Sequence, residues 1–422
     1  MSRVSSFAPL RERPFRIFYI GRSVSILGSS MSGVALAFAV LDLTGSAGDL
    51  GYVLAANSIP LVVFMLLGGV IADRFSRSVV LRVSHAGAAV TQGTVAGLLL
   101  THHATLPALI VIEALNGFLL AFTFPALQGV VPLVVKRQHM QQANAMLAFS
   151  RSGAAIFGPT VSTLLVVSVG SGWAIAIDSA SYAVAAVMMS ILHLPASARA
   201  QATSMMHDLK EGWSEFTSRT WLWLIVVVFG VLNAIQSGVL SILGPTIARE
   251  TIGKGPYGWV LSAEAAGFLV MTLVLMRVRL RFPLRAGMLG ISMLGVVMIV
   301  LGADPRTLPL VALAAVGGAG AEVFSIGWQT AVMENIPVQM LSRVFSYDAL
   351  GSFVAIPVGQ LLVGPLASSF GARRVALVGG IAYIVLAVAT VASRSVRNLQ
   401  RGEQPDADEP QERSDAGPVR AG

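Results

Sequence analysis

The chain has 422 residues, 55% hydrophobic and only 12% charged, with a formal net charge of +8. A soluble domain carries about 25% charged residues, because its surface must face water, so this composition excludes a water-soluble globular protein and points to many lipid-facing segments. The absence of cysteine also excludes a disulfide framework, a thiolate metal site and a cysteine nucleophile.

A membrane-spanning helix needs roughly 20 mostly apolar residues. Runs of that kind predict twelve spans near 17–42, 51–72, 79–100, 106–134, 148–170, 173–194, 221–244, 257–278, 285–302, 308–333, 344–367 and 374–393. The first follows Arg3, Arg11, Arg13 and Arg16 and is as long as a full span. It is therefore expected to stay as a helix rather than be removed as a signal peptide. Within it, Arg22, Ser25, Ser29 and Ser32 repeat at spacings of three and four, on one helical face. Serines so placed suit either a cavity lining or close helix packing; the arginine favours the cavity. Asn57 in the second span is a further cavity candidate.

Charges inside a bilayer cost roughly 2.5–3.5 kcal/mol each on insertion scales, so each needs a reason. Glu113 and Asn116 lie one turn apart in the fourth span, with Thr123 beyond. Arg151 opens the fifth span, which also contains Gly153, Gly158 and Pro159. Asp178, in the sixth, is expected near the outer end, within reach of interfacial water. The six histidines are read as loop residues. Residues 195–219 form the longest polar interruption and carry Trp213 and Phe216 among charges, a pattern for an amphipathic surface helix. This interruption divides the spans six and six. In the second set, Asn233 and Gln236 share a face of the seventh span. Glu264 lies in the eighth, Glu322 and Gln329 in the tenth, and Asp348 in the eleventh. Glu322 and Glu113 are the leading proton carriers, with Asp348 and Glu264 behind them. Arg22, Ser29, Asn57, Asn233 and Gln236 are the cavity candidates. The tail beyond about 400, rich in Pro, Asp, Glu and Arg, is expected to be disordered.

With the termini placed in the cytoplasm, only Arg249, Lys254, Arg306, Arg373 and Arg374 fall on the outer side and Arg22 and Arg151 inside spans; every other Lys and Arg lies in a cytoplasmic segment or at the cytoplasmic end of a span. That is the positive-inside pattern. It explains the basic charge without a nucleic-acid partner. No enzyme motif, nucleotide-binding motif or metal-ligand spacing occurs, so no cofactor or metal is expected, and energy must come from an ion gradient or the substrate's own.

The loop after the second span reads Gly69-Val-Ile-Ala72-Asp73-Arg74-Phe-Ser76-Arg77. It resembles the signature loop of the major facilitator superfamily, G-x-L-a-D-r-x-G-r, with Ser76 in place of a glycine. Leu10-Arg-Glu-Arg-Pro-Phe15, Leu43-Thr-Gly-Ser-Ala47 and Ser342-Arg-Val-Phe-Ser346 are similar to the branch that includes the enterobactin exporter and macrolide-efflux proteins. The resemblance implies an all-α fold of twelve helices in two six-helix bundles around a central cavity, residues 1–194 and 221–393. Between them runs a cytoplasmic linker, 195–220, and a cytoplasmic tail, 394–422, follows. It also implies a latch formed by Gly69, Asp73, Arg74 and Arg77, and a multi-pass protein of the cell membrane acting as a monomer. Gly153 and Gly158-Pro159 partly match the exporters' antiporter motif, as a bend in the fifth helix; Ser162 and Thr163 replace expected glycines. Where many drug/proton antiporters have R-x-x-q-G, this chain has Glu113-Ala-Leu-Asn116-Gly117, so the arginine's role does not carry over. The expected activity is proton-coupled export of a small, partly hydrophobic molecule. An importer or facilitator on the same fold, and a non-transporting sensor, are the rival readings.

Overall fold

The structure, a computed structural model, describes residues 8–399 apart from 75, 129, 193–212, 215, 279, 338 and 339; the side chains of 66–74, 124, 125, 128, 342, 343 and 346 also lie outside the description. Among the described residues it is entirely helical. We number the long helices α1 (Arg13–Thr44), α2 (Ala47–Arg74), α3 (Arg77–Leu100), α4 (Leu106–Gln128), α5 (Met140–Ser168) and α6 (Ser171–Ile191). The second half has α7 (Thr220–Gln236, continuing through Ser237–Leu243 and Gly244–Glu250), α8 (Lys254–Leu275), α9 (Pro283–Ile291 and Met293–Ala303), α10 (Thr307–Asn335), α11 (Leu341–Phe370) and α12 (Ala372–Thr390). Short connections make sequential helices antiparallel. The turns at 45–46, 101–105, 169–170, 251–253, 304–306 and 371 thus share one end of the bundle, the hairpin end. Residues 8–12 and 391–399 lie at the other, the terminal end.

Local sequence sets these boundaries. Pro14 opens α1 at a position whose amide needs no partner. Gly45 closes it in the left-handed region (φ 68°), its amide returning to Leu41 O. Ten of the helices are long and apolar enough to cross a bilayer among the described residues. The other two, α3 and α5, are long enough but more polar, with Arg77, Arg82, His85 and Gln92 in one and Gln141, Gln142, Asn144 and Arg151 in the other. Large apolar side chains such as Phe149, Phe157, Leu308 and Val378 lie on the outer surface, as lipid contact requires.

Several boundaries differ from the hydropathy reading. The fourth helix stops at Gln128 rather than running to 134, and a separate turn at Val131–Val134 follows. The fifth begins at Met140, eight residues early, because Gln, Ala and Met are good helix formers whatever their polarity. His85 is a buried residue of α3, not a loop residue, its Nδ1 donating to Leu81 O at 2.6 Å. Of the proposed surface helix only 213, 214 and 216–219 are described. There Trp213 stacks on Phe216 (5.8 Å), and both rings meet Tyr347 of α11. The expected disordered tail lies outside the described residues.

The halves repeat one packing scheme. In the first, α2 packs on α4, α3 on α4 and α6, and α1 on α5 and α6; in the second, α8 packs on α10, α9 on α10 and α12, and α7 on α11 and α12. Adding six to each helix number converts the first set into the second. The two main contacts between halves, α2 with α11 and α5 with α8, are related by the same rule.

Candidate functional site

In the first half, buried polar side chains from five helices form one network. Glu113 of α4 is 2% exposed. Its Oε2 accepts from Asn57 Nδ2 of α2 (2.9 Å) and its Oε1 from Gln92 Nε2 of α3 (3.1 Å). Gln92 Oε1 accepts in turn from Ser32 Oγ of α1 (3.5 Å). One turn before Ser32, Ser29 donates to Tyr182 OH (3.0 Å) and Asp178 Oδ1 (3.4 Å) of α6. Asn116, beside Glu113, leaves a buried Oδ1 without a partner. Neither carboxyl forms an ion pair with a described residue. Asp178 does not reach interfacial water: it is 2% exposed because α6 starts at Ser171, which places it roughly 10 Å along the helix.

The second half keeps its carboxyls apart. Glu322 of α10 accepts from Thr272 Oγ1 of α8 (2.6 Å). Asp348 of α11 accepts from Trp328 Nε1 (3.0 Å) and Ser352 Oγ (3.2 Å). Asn233 of α7 donates to Ser352 O (2.9 Å). Glu264 of α8 and Gln236 of α7 make no hydrogen bond to a described residue, although Glu264 lies within electrostatic reach of Tyr257 and Tyr383, and the Tyr383 hydroxyl is buried and unpartnered. Glu264 is the counterpart of Asn57. A Cβ at Gly117 would sit 1.9 Å from Asn57 O, and one at Gly318 would sit 1.9 Å from Glu264 O. In both halves a glycine is what lets two backbones touch.

The hydrogen bonds, ion pairs and ring contacts described between the halves cluster towards the hairpin end. Asp42 of α1 holds Lys254 Nζ (2.6 Å) and Arg249 Nε (3.5 Å) from the second half. Phe38 packs edge-on to Tyr257. Ser58 of α2 donates to Gln360 Oε1 of α11 (2.5 Å), and Thr160 Oγ1 of α5 meets Ser262 Oγ of α8 (2.7 Å). A Cβ at Gly51 or Gly364 would strike the opposite backbone. At the terminal end, a cavity of about 500 Å3 opens between α1, the end of α4 and α5, lined by Arg22, Arg151 and Asn144 among apolar side chains.

A family model described as a transmembrane secretion effector matches residues 4–413. The chain belongs to the major facilitator superfamily. This transporter is 24% identical to the multidrug efflux pump Tap of Mycobacterium tuberculosis, over 91% of the chain and 94% of the pump. It is 25% identical to macrolide efflux protein A of Streptococcus pyogenes, over 91% and 97%. Among solved structures, the nucleoside transporter NupG superposes with a TM-score of 0.70 at 16% identity, covering 90% of this chain and 98% of that one. A bacterial ferroportin homologue in its inward-facing state gives 0.66 at 14% identity, covering 90% and 99%. The transporter is a multi-pass membrane protein and not an enzyme.

The side chains of the latch residues Gly69, Asp73 and Arg74 lie outside the description; Arg77 opens α3, its Nε buried without a partner. In α5, Gly158 packs on Ser30 of α1 and Gly153 faces open space. Ser162, standing where a glycine was expected, donates to Met31 O (2.7 Å); Thr163 folds its hydroxyl back onto Pro159 O (3.0 Å). Ser162 thus ties α5 to α1, and Gly258 of α8 leaves room for the Thr163 hydroxyl. The sequence reading passed over Gln92, Tyr182, Ser58 and Gln360. Their polarity in apolar spans was visible, but their partners come from other helices.

Proposed function

We propose that this transporter exports a small, partly hydrophobic molecule across the cell membrane by proton-coupled alternating access, with the terminal end in the cytoplasm. The observation that carries the reading is the cluster of hairpin-end polar contacts between two repeated halves. A few small side chains and one ion-pair cluster join them at the hairpin end, and two rigid bundles can break such contacts and form others at the far end. Similarity to two efflux pumps over nine tenths of the chain supports the direction. The basic residues gathered at the terminal end support the orientation.

Glu113 and Glu322 are the proton carriers in this reading. Glu113 has neutral amides on both oxygens and no cation to hold it ionised. A proton arriving there finds an acceptor in the free Asn116 Oδ1. Glu322 joins α8 to α10 through Thr272, where a change of charge bears on the packing of the second half.

The test uses everted membrane vesicles energised to be acid inside and supplied from the outside with a panel of dyes and macrolides. Uptake that a protonophore abolishes, and that Glu322→Gln abolishes, is the expected result. Uptake confined to right-side-out vesicles overturns export. Uptake that survives both the protonophore and the substitution overturns proton coupling through Glu322.

A further inference from the structure

Arg22 of α1 and Arg151 of α5 face the same terminal-end cavity. No carboxylate lies among its described lining residues, and neither guanidinium makes a hydrogen bond or ion pair with a described residue. Like charges that face one cavity repel each other. Three described carboxyls of the first half are engaged elsewhere. Glu12 accepts the Lys136 amide (3.1 Å) and pairs with His139 (2.7 Å); Glu113 and Asp178 are tied into the buried network. Arg22 is half-buried and Arg151 exposed, and two like charges in one cavity without a counter-ion are unfavourable. An anion between them removes both the repulsion and the missing bonds, and a guanidinium offers a carboxylate a two-pronged fit. The rest of the wall, including Phe18, Ile26, Leu127 and Leu147, is apolar and suits a hydrocarbon or ring body rather than a bare inorganic ion.

We propose that this cavity binds amphipathic organic anions, with Arg22 and Arg151 clasping a carboxylate head and the apolar wall holding its body. The claim that such an anion is cargo rests on the export reading above; the claim that it binds here does not.

The same headgroup chemistry occurs in anionic lipids, so the test separates the two sources. The full chain is placed in nanodiscs of zwitterionic lipid, and equilibrium binding of tritiated decanoate, decanol and decylamine is measured. Decanoate is expected to bind roughly tenfold or more tightly than decanol, the difference one charge-assisted hydrogen bond makes. Arg22→Gln with Arg151→Gln removes that advantage, Arg22→Lys with Arg151→Lys retains part of it, and Arg22→Glu with Arg151→Glu transfers it to decylamine, a reversal that loss of packing cannot produce. Competition by phosphatidylglycerol added to the discs assigns the site to a lipid headgroup; decanoate binding that persists beside it assigns the site to a free anion. Equal binding of all three probes by the unaltered chain overturns the proposal, and so does a decanoate preference that the glutamine or glutamate pair leaves unchanged. Because no transport is measured, failure here leaves export untouched, and failure of export leaves this site standing.

Discussion

At the scale of single residues, Glu113 is buried and held on both of its carboxylate oxygens. Glu113→Gln replaces one acceptor oxygen by an NH2 that faces a donor from Asn57 or Gln92. One buried mismatch costs about 1–3 kcal/mol, so the melting temperature of the purified variant is expected to fall while the fold holds. Proton-driven uptake is expected to drop to the vector background. Asn57→Ala provides the comparison, since it loosens the same network and keeps the carboxyl; it should lose comparable stability and retain measurable uptake. Equal loss of uptake in the two variants would show that the network matters as packing and not as a proton path. Much of this was legible beforehand: Glu113, Asn57 and Ser29 each stood out as polar residues in apolar runs. That Ser32, Gln92 and Asp178 join them was not, because the pairing depends on which faces of α1, α3 and α6 meet, and sequence spacing within one helix does not determine that.

At the scale of elements, α7 shows how one residue redirects a helix. Pro245 has no amide hydrogen, and its ring would strike a carbonyl in the preceding turn. Over Ser237–Leu243 the helix widens to a π-register, with the Gly244 amide returning five residues to Val239 O. In that register the missing amide at 245 would have served Leu240 O, and Tyr257 OH of α8 donates to that carbonyl instead (2.9 Å). Tyr257→Phe is therefore expected to destabilise the protein by about 1–3 kcal/mol. In a Pro245→Ala background, which restores the amide, the same change should cost little. A double-mutant cycle on melting temperature reads the difference as a coupling of about 1 kcal/mol; strict additivity would disprove the exchange of donors. The helices themselves were readable from hydropathy because lipid contact demands long apolar runs. The early start of α5 and the π-segment were not, since both depend on backbone hydrogen bonding that hydropathy does not register.

At the scale of the molecule, the repeated packing scheme makes the hairpin end a test of movement. If the halves rock, the contacts at Thr160 and Ser262 must separate in each cycle; if they do not, those contacts are permanent. The two hydroxyl oxygens are 2.7 Å apart, and the chain has no cysteine of its own, so Thr160→Cys with Ser262→Cys gives a pair free of background. Oxidation should link the halves and stop uptake into everted vesicles almost completely, and reduction should restore it. The unlinked double variant should transport near the normal rate, because the exchange weakens two hydrogen bonds, each worth about 0.5–1.5 kcal/mol, in an interface that also has the Asp42 cluster and the Ser58–Gln360 contact. Labelling of the Thr160→Cys chain by a membrane-impermeant maleimide adds the orientation: reaction in right-side-out cells, rising when Asp42→Asn weakens the ion-pair cluster, places the hairpin end outside and ties its opening to that cluster. Full transport by the oxidised, linked protein would mean that the halves do not part at this end, and alternating access would then have to operate through some other motion.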